Sequence, residues 1–177
     1  MCGGLKGQVI LNKKSWFSYQ DMVIHENEGP ISTIAFAYPF VAWCNEYGTK
    51  VYNVEQESSV TYVPKPEDVP STNEIKPKLW ARGARVRRRC WYGNSRLVIG
   101  WGEVLTSVQL NFKSPATGNR IWFGEQGAVF RVGFWINGVA IFDADRVSLL
   151  AYNKAEGIEP PSIHVVSLRS GESESED

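Results

Sequence analysis

The stretch Leu97-Val98-Ile99-Gly100-Trp101, LVIGW in one-letter code, decides the fold class of this chain because its ending recurs. The ending combines an aliphatic, a small and an aromatic residue. The same triplet occurs as Val41-Ala42-Trp43 and as Leu150-Ala151-Tyr152, each time at the end of an apolar run. Self-similarity at a period of roughly 50 residues is typical of stacked or radially arranged β units such as propeller blades.

The rest of the chain also has the pattern of β-strands. Thr49 to Val54 alternates with period two and is rich in valine and aromatic residues, which favours a strand. Turn chemistry separates the apolar runs at Tyr38-Pro39, at 45–48 and at 143–146. Asn137-Gly138 between two apolar runs predicts a hairpin. No amphipathic helix of ten or more residues is evident, so we expect an all-β fold.

The predicted organisation is one β region followed by a polar tail. Residues 3–168 are expected to form a partial WD-repeat-like β-propeller of about three incomplete blades. Four prolines predict a surface loop at 64–78, since proline cannot donate to a β ladder. Residues 169–177 are acidic and polar, which predicts disorder. The serines of this tail lie among acids, so the tail is either a phosphorylation target or only solubilising.

Charge composition does not mark the whole molecule as a ligand for nucleic acid or anionic lipid. Lys+Arg and Asp+Glu both number 19, so the formal net charge is zero. The basic run Arg82–Arg89, with Trp80, Trp91 and Tyr92 beside it, is the sharpest charge feature. It could bind anionic headgroups, an acidic partner or RNA. It could equally be a solvated strand edge, where charge discourages edge pairing, and we favour that interpretation.

Catalytic, metal and cofactor sites find no support in the residue pattern. The two histidines, His25 and His164, are far apart in sequence, and the three cysteines are widely spaced without a CxxC pair. Free thiols in a reducing compartment are the simplest interpretation of those cysteines. We therefore expect a protein that is not an enzyme, with no catalytic residue, metal or cofactor.

Gly100-Trp101-Gly102 admits two interpretations. The glycines could form a ligand loop around the tryptophan. Alternatively, Gly100 leaves room for close packing while Trp101 fills the space between two blades, which is the usual role of a large aromatic residue in an apolar run. We favour the packing role.

Several motifs in order resemble one family. The set covers roughly residues 3–153 and consists of Gly3-Gly4, Val9-Ile10-Leu11, Lys14-Ser15-Trp16, His25 to Gly29 with Ile31, Val41 to Asn45, Gly48 to Tyr52, Leu97 to Gly102, Gly138 to Ala140 and Leu149 to Tyr152. Together they resemble the N-terminal WD-repeat-like propeller of the vacuolar protein sorting-associated protein 41 family. Members of that family are several times longer than this chain.

The resemblance implies a non-catalytic scaffold in a HOPS-type tethering complex. The implied partners are the other HOPS subunits and a Rab-type GTPase of the late endosome and vacuole. The implied role is vesicle tethering before membrane fusion, at the cytosolic face of late endosome, vacuole or lysosome membranes, with peripheral membrane association and without nucleic acid. The alternative is a nucleic-acid- or chromatin-associated propeller scaffold that uses the Arg82–Arg89 run.

Overall fold

The computed structural model describes residues 2–3, 7–14, 16–69, 77–82, 85–87, 90–92, 95–116, 118, 120–143, 145–152 and 160–168. Every regular element in these ranges is a β-strand. The all-β prediction is therefore confirmed.

The described residues contain sixteen strands. In chain order they are β1 Cys2–Gly3, β2 Val9–Lys14, β3 Tyr19–His25, β4 Thr33–Ala37, β5 Phe40–Cys44, β6 Gly48–Asn53, β7 Ser58–Pro64, β8 Lys78–Arg82, β9 Arg85–Arg87, β10 Cys90–Tyr92, β11 Ser95–Trp101, β12 Val104–Lys113, β13 Ile121–Arg131, β14 Trp135–Ile141, β15 Arg146–Tyr152 and β16 Ser162–Ser167.

The strands form four blade-like antiparallel sheets and one small hairpin. We call them the first sheet (β1-β2-β3), the second (β4-β5-β6-β7), the third (β8-β11-β12-β13) and the fourth (β14-β15-β16). The hairpin β9-β10 is inserted between the first two strands of the third sheet. Each sheet pairs strands in chain order, which is the meander expected of a propeller blade. Two of the sheets have the full four strands of such a blade.

Three apolar clusters hold neighbouring sheets together. The first joins the first and second sheets around Val9, Val41 and Trp43. The second joins the second and third sheets and contains Phe40 and Trp101. The third joins the third and fourth sheets around Val98, Leu105, Ile136, Val147 and Leu149. The four sheets are thus stacked in sequence order, which confirms a partial propeller.

The three sequence triplets end the second strand of three successive sheets, namely β5, β11 and β15. Trp43 and Trp101 are 3% and 4% exposed and both face the preceding sheet. Tyr152 is 49% exposed. Its neighbour Ala151 is buried on the same face as Leu149, so Tyr152 faces away from the third sheet. The third triplet therefore lies at the equivalent place on its strand, but its aromatic side chain is on the opposite face of the sheet.

Gly100 has the packing role expected of it. A methyl group at this position would lie 2.6 Å from Ile136 Cγ2 and 3.0 Å from Val139 Cγ2, both on β14. The third and fourth sheets approach closely because this residue has no side chain. On the same strand Trp101 joins the cluster toward the second sheet, so one strand makes both contacts.

The hairpin predicted at Asn137-Gly138 is wrong. Both residues lie within the continuous strand β14, where the register with β15 shifts between Ile136 and Gly138. The dipeptide marks a β-bulge, which asparagine and glycine also favour. The chain instead turns at 132–134, where Gly133 has a φ of 70°.

Other predicted turns are confirmed. The peptide bond Tyr38-Pro39 is cis and connects β4 to β5. Asn45 Oδ1 accepts hydrogen bonds from the N–H groups of Tyr47 and Gly48 at 2.9 and 3.1 Å. Asp143 Oδ1 likewise accepts from the N–H groups of residues 145 and 146, at 3.0 and 2.8 Å. Such side-chain acceptors fix tight turns between strands.

Two predicted segments are described only in part or not at all. In the segment 64–78, Pro64 ends β7 and Lys78 begins β8, and residues 70–76 lie outside the described residues. Val69 is buried in the cluster between the second and third sheets. The acidic tail 169–177 also lies outside the described residues. Its disorder stays a prediction.

Candidate interaction surfaces

The stack has two opposite ends. At the connection end the chain passes from one sheet to the next and β5 and β11 turn into their following strands. This end comprises residues 26–32, 45–47, 65–69, 102–103 and 132–134. At the opposite end, the hairpin end, β-hairpins project. It comprises residues 16–18, 38–39, 54–57, 114–116 and 142–143.

A polar network lies at the connection end between the first and second sheets. Asn45, almost fully buried, donates from Nδ2 to the carbonyl oxygen of Glu28 at 2.9 Å. The Glu28 carboxylate accepts a hydrogen bond from Lys50 Nζ and lies 3.1 Å from His25 Nε2. The Lys50 hydrogen bond lowers the pKa of Glu28 below its ordinary value. These contacts fix the chain where it passes between the two sheets.

His25 is held against Trp43 in the same network. The ring centroids are 5.1 Å apart and the planes are tilted by 39°. Burial lowers the pKa of His25 below 6.5, although the Glu28 carboxylate acts in the opposite direction. His25 is therefore a packed, mainly neutral side chain at neutral pH.

Cys44 lies near this network and has no nucleophilic character. Its Sγ is 2.7 Å from Thr49 Oγ1, and both residues are buried. Burial raises the pKa of the Cys44 thiol to about 12. Because the thiolate is the reactive form, this cysteine is chemically inert in the folded protein.

A shallow cavity of about 190 Å³ opens at the connection end of the third sheet, between the connection after β7 and the start of β14. Its lining residues are Asp68, Val69, Gly102, Glu103, Val104, Arg131 and Trp135. The Arg131 guanidinium donates to the Asp68 carboxylate across it, which joins β13 to the connection after β7. Both charged groups are largely exposed and pair with each other at the opening of the cavity.

Exposed aromatic residues collect at the hairpin end. On the first sheet Trp16 is 94% and Phe17 is 99% exposed. The other exposed large apolar residues of this end, from all four sheets, are Tyr19, Phe36, Tyr38, Phe112, Ile121 and Phe142. The sequence shows the cluster Trp16, Phe17 and Tyr19, but only the stacking of the sheets shows that the others lie at the same end.

Cations accompany several of these aromatic residues. The Arg120 guanidinium lies over the Phe112 ring at 4.7 Å, and that of Arg146 lies over Phe142 at 4.8 Å. Lys13 and Lys14 precede the Trp16 tip on β2. Amphipathic residues of these types are frequent at binding surfaces.

A second apolar surface covers the outer face of the fourth sheet. Leu150, Tyr152, Ile163 and Val165 are exposed there. Leu150 and Ile163 are paired across β15 and β16. This face has the same alternating pattern as the faces that are buried between the other sheets.

The structure does not bring the sequence-predicted charge and histidine features together. Arg82 ends β8, Arg85 and Arg87 lie on β9, and Arg88 and Arg89 lie outside the described residues. His164 stacks on Phe134 with centroids 4.3 Å apart. His25 is on the first sheet, and two whole sheets separate it from this pair.

Within the part of the chain that the structure describes, no group of three His, Cys, Asp or Glu side chains could hold a metal ion. Among the same residues, no helix has the length and apolar character needed to cross a membrane.

The sequence matches one family model along its whole length. The model, Beta-prop_Vps41, is described as a Vps42 beta-propeller and matches residues 1–177. Among relatives, the vacuolar protein sorting-associated protein 41 homolog of Arabidopsis thaliana is 31% identical over 89% of this chain. The Homo sapiens homolog is 28% identical over 86% of this chain. The chain spans 16% and 17% of the lengths of these two relatives.

The fold also resembles a solved structure. The WD40 domain of SCAP from fission yeast superposes with a TM-score of 0.55 at 12% sequence identity. The alignment covers 94% of this chain and 41% of that one. At this identity the likeness concerns the fold, and it agrees with four stacked blade-like sheets.

Proposed function

The chain belongs to the Vps41 β-propeller family, and on this premise we propose that it is a scaffold segment of a HOPS-type tethering subunit. The observation that carries the proposal is the whole-length match to the family model, joined to the stack of blade-like sheets. A stack of this kind presents broad surfaces to other proteins. The names of the relatives point to vacuolar protein sorting.

In this proposal the segment works through contacts and has no chemistry of its own. Its buried thiol is inert, and its described histidines are packed against aromatic rings. The partners are the other tethering subunits and a Rab-type GTPase. The site of action is the cytosolic face of late endosome and vacuole or lysosome membranes, where tethering precedes fusion.

Affinity purification of the full-length protein tests this function. The other tethering subunits are expected to co-purify, and loss of the protein is expected to make vacuolar cargo accumulate in small vesicles. Glu67→Lys, a single charge reversal at an exposed position of the connection after β7, serves as a folded control.

Recovery with RNA or chromatin would contradict the proposal. Phosphate contacts make binding fall steeply with salt. Salt-sensitive recovery that Arg87→Glu and Arg88→Glu abolish would therefore support the nucleic-acid alternative.

A further inference from the structure

The β2-β3 hairpin projects beyond the body of the molecule. Leu11 and Met22 are cross-strand partners and both are largely buried, with Leu11 packed against the cluster between the first and second sheets. Lys13 and Gln20 are the next pair on the same face, yet both are exposed. Because this face of the hairpin is covered at the Leu11–Met22 pair and open at the Lys13–Gln20 pair, the hairpin extends past the second sheet.

The tip of this hairpin carries two adjacent aromatic side chains with almost no protein contact. Trp16 and Phe17 are among the most exposed large apolar residues of the described chain. Leaving two such rings in water forgoes the transfer free energy that burying them would provide. An exposed apolar tip of this kind indicates a contact made outside this chain.

We propose that the tip of the β2-β3 hairpin is a membrane contact, in which Trp16 and Phe17 insert into the interface of a phospholipid bilayer. Tryptophan and tyrosine prefer the interfacial level of a bilayer, where one part of the ring is apolar and another is polar. The inference deepens the proposed peripheral role and relies on it only for the cellular setting.

The geometry favours a bilayer over a protein pocket. Both rings are open on all sides, so a protein would have to enclose the whole tip, whereas a bilayer interface surrounds any convex projection. Tyr38 and Phe142 lie in two other turns of the same end, where a broad surface could also reach them.

The charges near the tip suit an anionic bilayer. Lys13 and Lys14 lie directly before the tip, and their flexible stems let the ammonium groups reach headgroups while the rings insert. The nearest acid of the hairpin, Asp21, accepts a hydrogen bond from Asn12 at 2.7 Å. The contact should therefore combine an apolar part with a weaker, salt-sensitive part.

Vesicle flotation of the 177-residue chain tests the proposal. The vesicles contain phosphatidylcholine with roughly a third phosphatidylserine, an anionic lipid of the cytoplasmic leaflet. The double variant Trp16→Ala, Phe17→Ala should bind at least about tenfold more weakly. The transfer free energy of even one lost ring corresponds to roughly a tenfold change in affinity. Lys13→Glu with Lys14→Glu should weaken binding several-fold, and only to anionic vesicles.

Two matched controls separate this site from others. Tyr47→Ala removes an exposed ring at the connection end, and Ile163→Ser changes the outer face of the fourth sheet. Both should bind vesicles as the parent does. The conservative Trp16→Phe should keep binding, and brominated lipids should quench the parent fluorescence more than that of Trp16→Phe. Thermal melting verifies that the variants fold, as expected for fully exposed positions.

Three results would overturn the inference. They are a parent chain that does not bind vesicles, a double variant that binds as well as the parent, and binding lost through Ile163→Ser instead. A double variant that keeps vesicle binding but loses another tethering subunit would show that the tip docks a protein. Failure of vesicle binding leaves co-purification of tethering subunits intact, so the two proposals can fail separately.

Discussion

Trp101 and Tyr152 end the same kind of triplet on the second strand of neighbouring sheets, yet their environments are opposite. Trp101 is almost completely buried between the second and third sheets, and Tyr152 is half-exposed on the outer face of the fourth. The difference is in which face of the sheet the aromatic side chain occupies. On β11 the aromatic side chain faces the preceding sheet, whereas on β15 Ala151 takes that face.

A sequence repeat therefore predicts the position of a residue along its strand more reliably than it predicts which face of the sheet the side chain occupies. A shift of one residue along a strand exchanges the two faces. Burial of Trp101 should therefore contribute to the free energy of unfolding. The half-exposed Tyr152 should contribute only to contacts made on the outer face of the fourth sheet. Comparing Trp101→Ala with Tyr152→Ala tests this difference.

The largest effect is expected from Trp101→Ala. Removing a buried tryptophan should lower the free energy of unfolding by about 3–5 kcal/mol, because it leaves a cavity between two sheets. Tyr152→Ala is the matched control and should cost less than about 1 kcal/mol, since the ring is half in solvent. Urea denaturation measures both. Equal losses would mean that the two rings have equivalent environments.

A smaller effect is expected from Gly100→Ala. The added methyl group would clash with Ile136 and Val139 on β14, so the third and fourth sheets must shift, at a cost of about 1–3 kcal/mol. Gly127→Ala is the control because its methyl group would meet mainly the Ser107 hydroxyl. The explanation fails if Gly100→Ala unfolds at the same urea concentration as the parent or at a higher one.

The smallest effect concerns pH. The folded pKa of His25 lies below its unfolded value of about 6.5. The unfolded chain therefore binds more protons than the folded one as the pH falls below 6.5. The contribution of neutral His25 is fully present above that pH and declines as the pH falls through the folded pKa. His25→Phe, which keeps a ring against Trp43, should remove this part of the pH dependence in urea melts between about pH 7.5 and pH 5.5. An unchanged slope would assign the dependence to other groups.

Much of the fold could be predicted because it depends on local patterns. Period-two alternation and turn residues such as Asn45 and Asp143 determine strands and hairpins within a few residues. The hairpin prediction at Asn137-Gly138 was wrong because the same dipeptide suits either a turn or a bulge. Only the pairing with β15 distinguishes the two. The first sheet lacks the triplet, so the repeat predicts about three units where the structure has four sheets.

The candidate surfaces could be predicted only in part. Trp16, Phe17 and Tyr19 are adjacent in sequence and stand out as a cluster. Phe112 and Phe142 join them only because hairpins of successive sheets point to the same end, which is a property of the stack. The basic run Arg82–Arg89 was visible in the sequence, but its backbone belongs partly to β8 and to the inserted hairpin β9-β10.

Native-state hydrogen exchange followed by mass spectrometry tests the central claim, namely that the sheets are stacked in order with the inner faces closed and the outer face open. Peptides from β5, β11 and β12 should exchange last, through global unfolding, because both faces of these strands are covered. Peptides from β16 and from the tip of the β2-β3 hairpin should exchange well before them. Protection of β16 equal to that of β11, or early exchange of β11, would contradict the stacked arrangement.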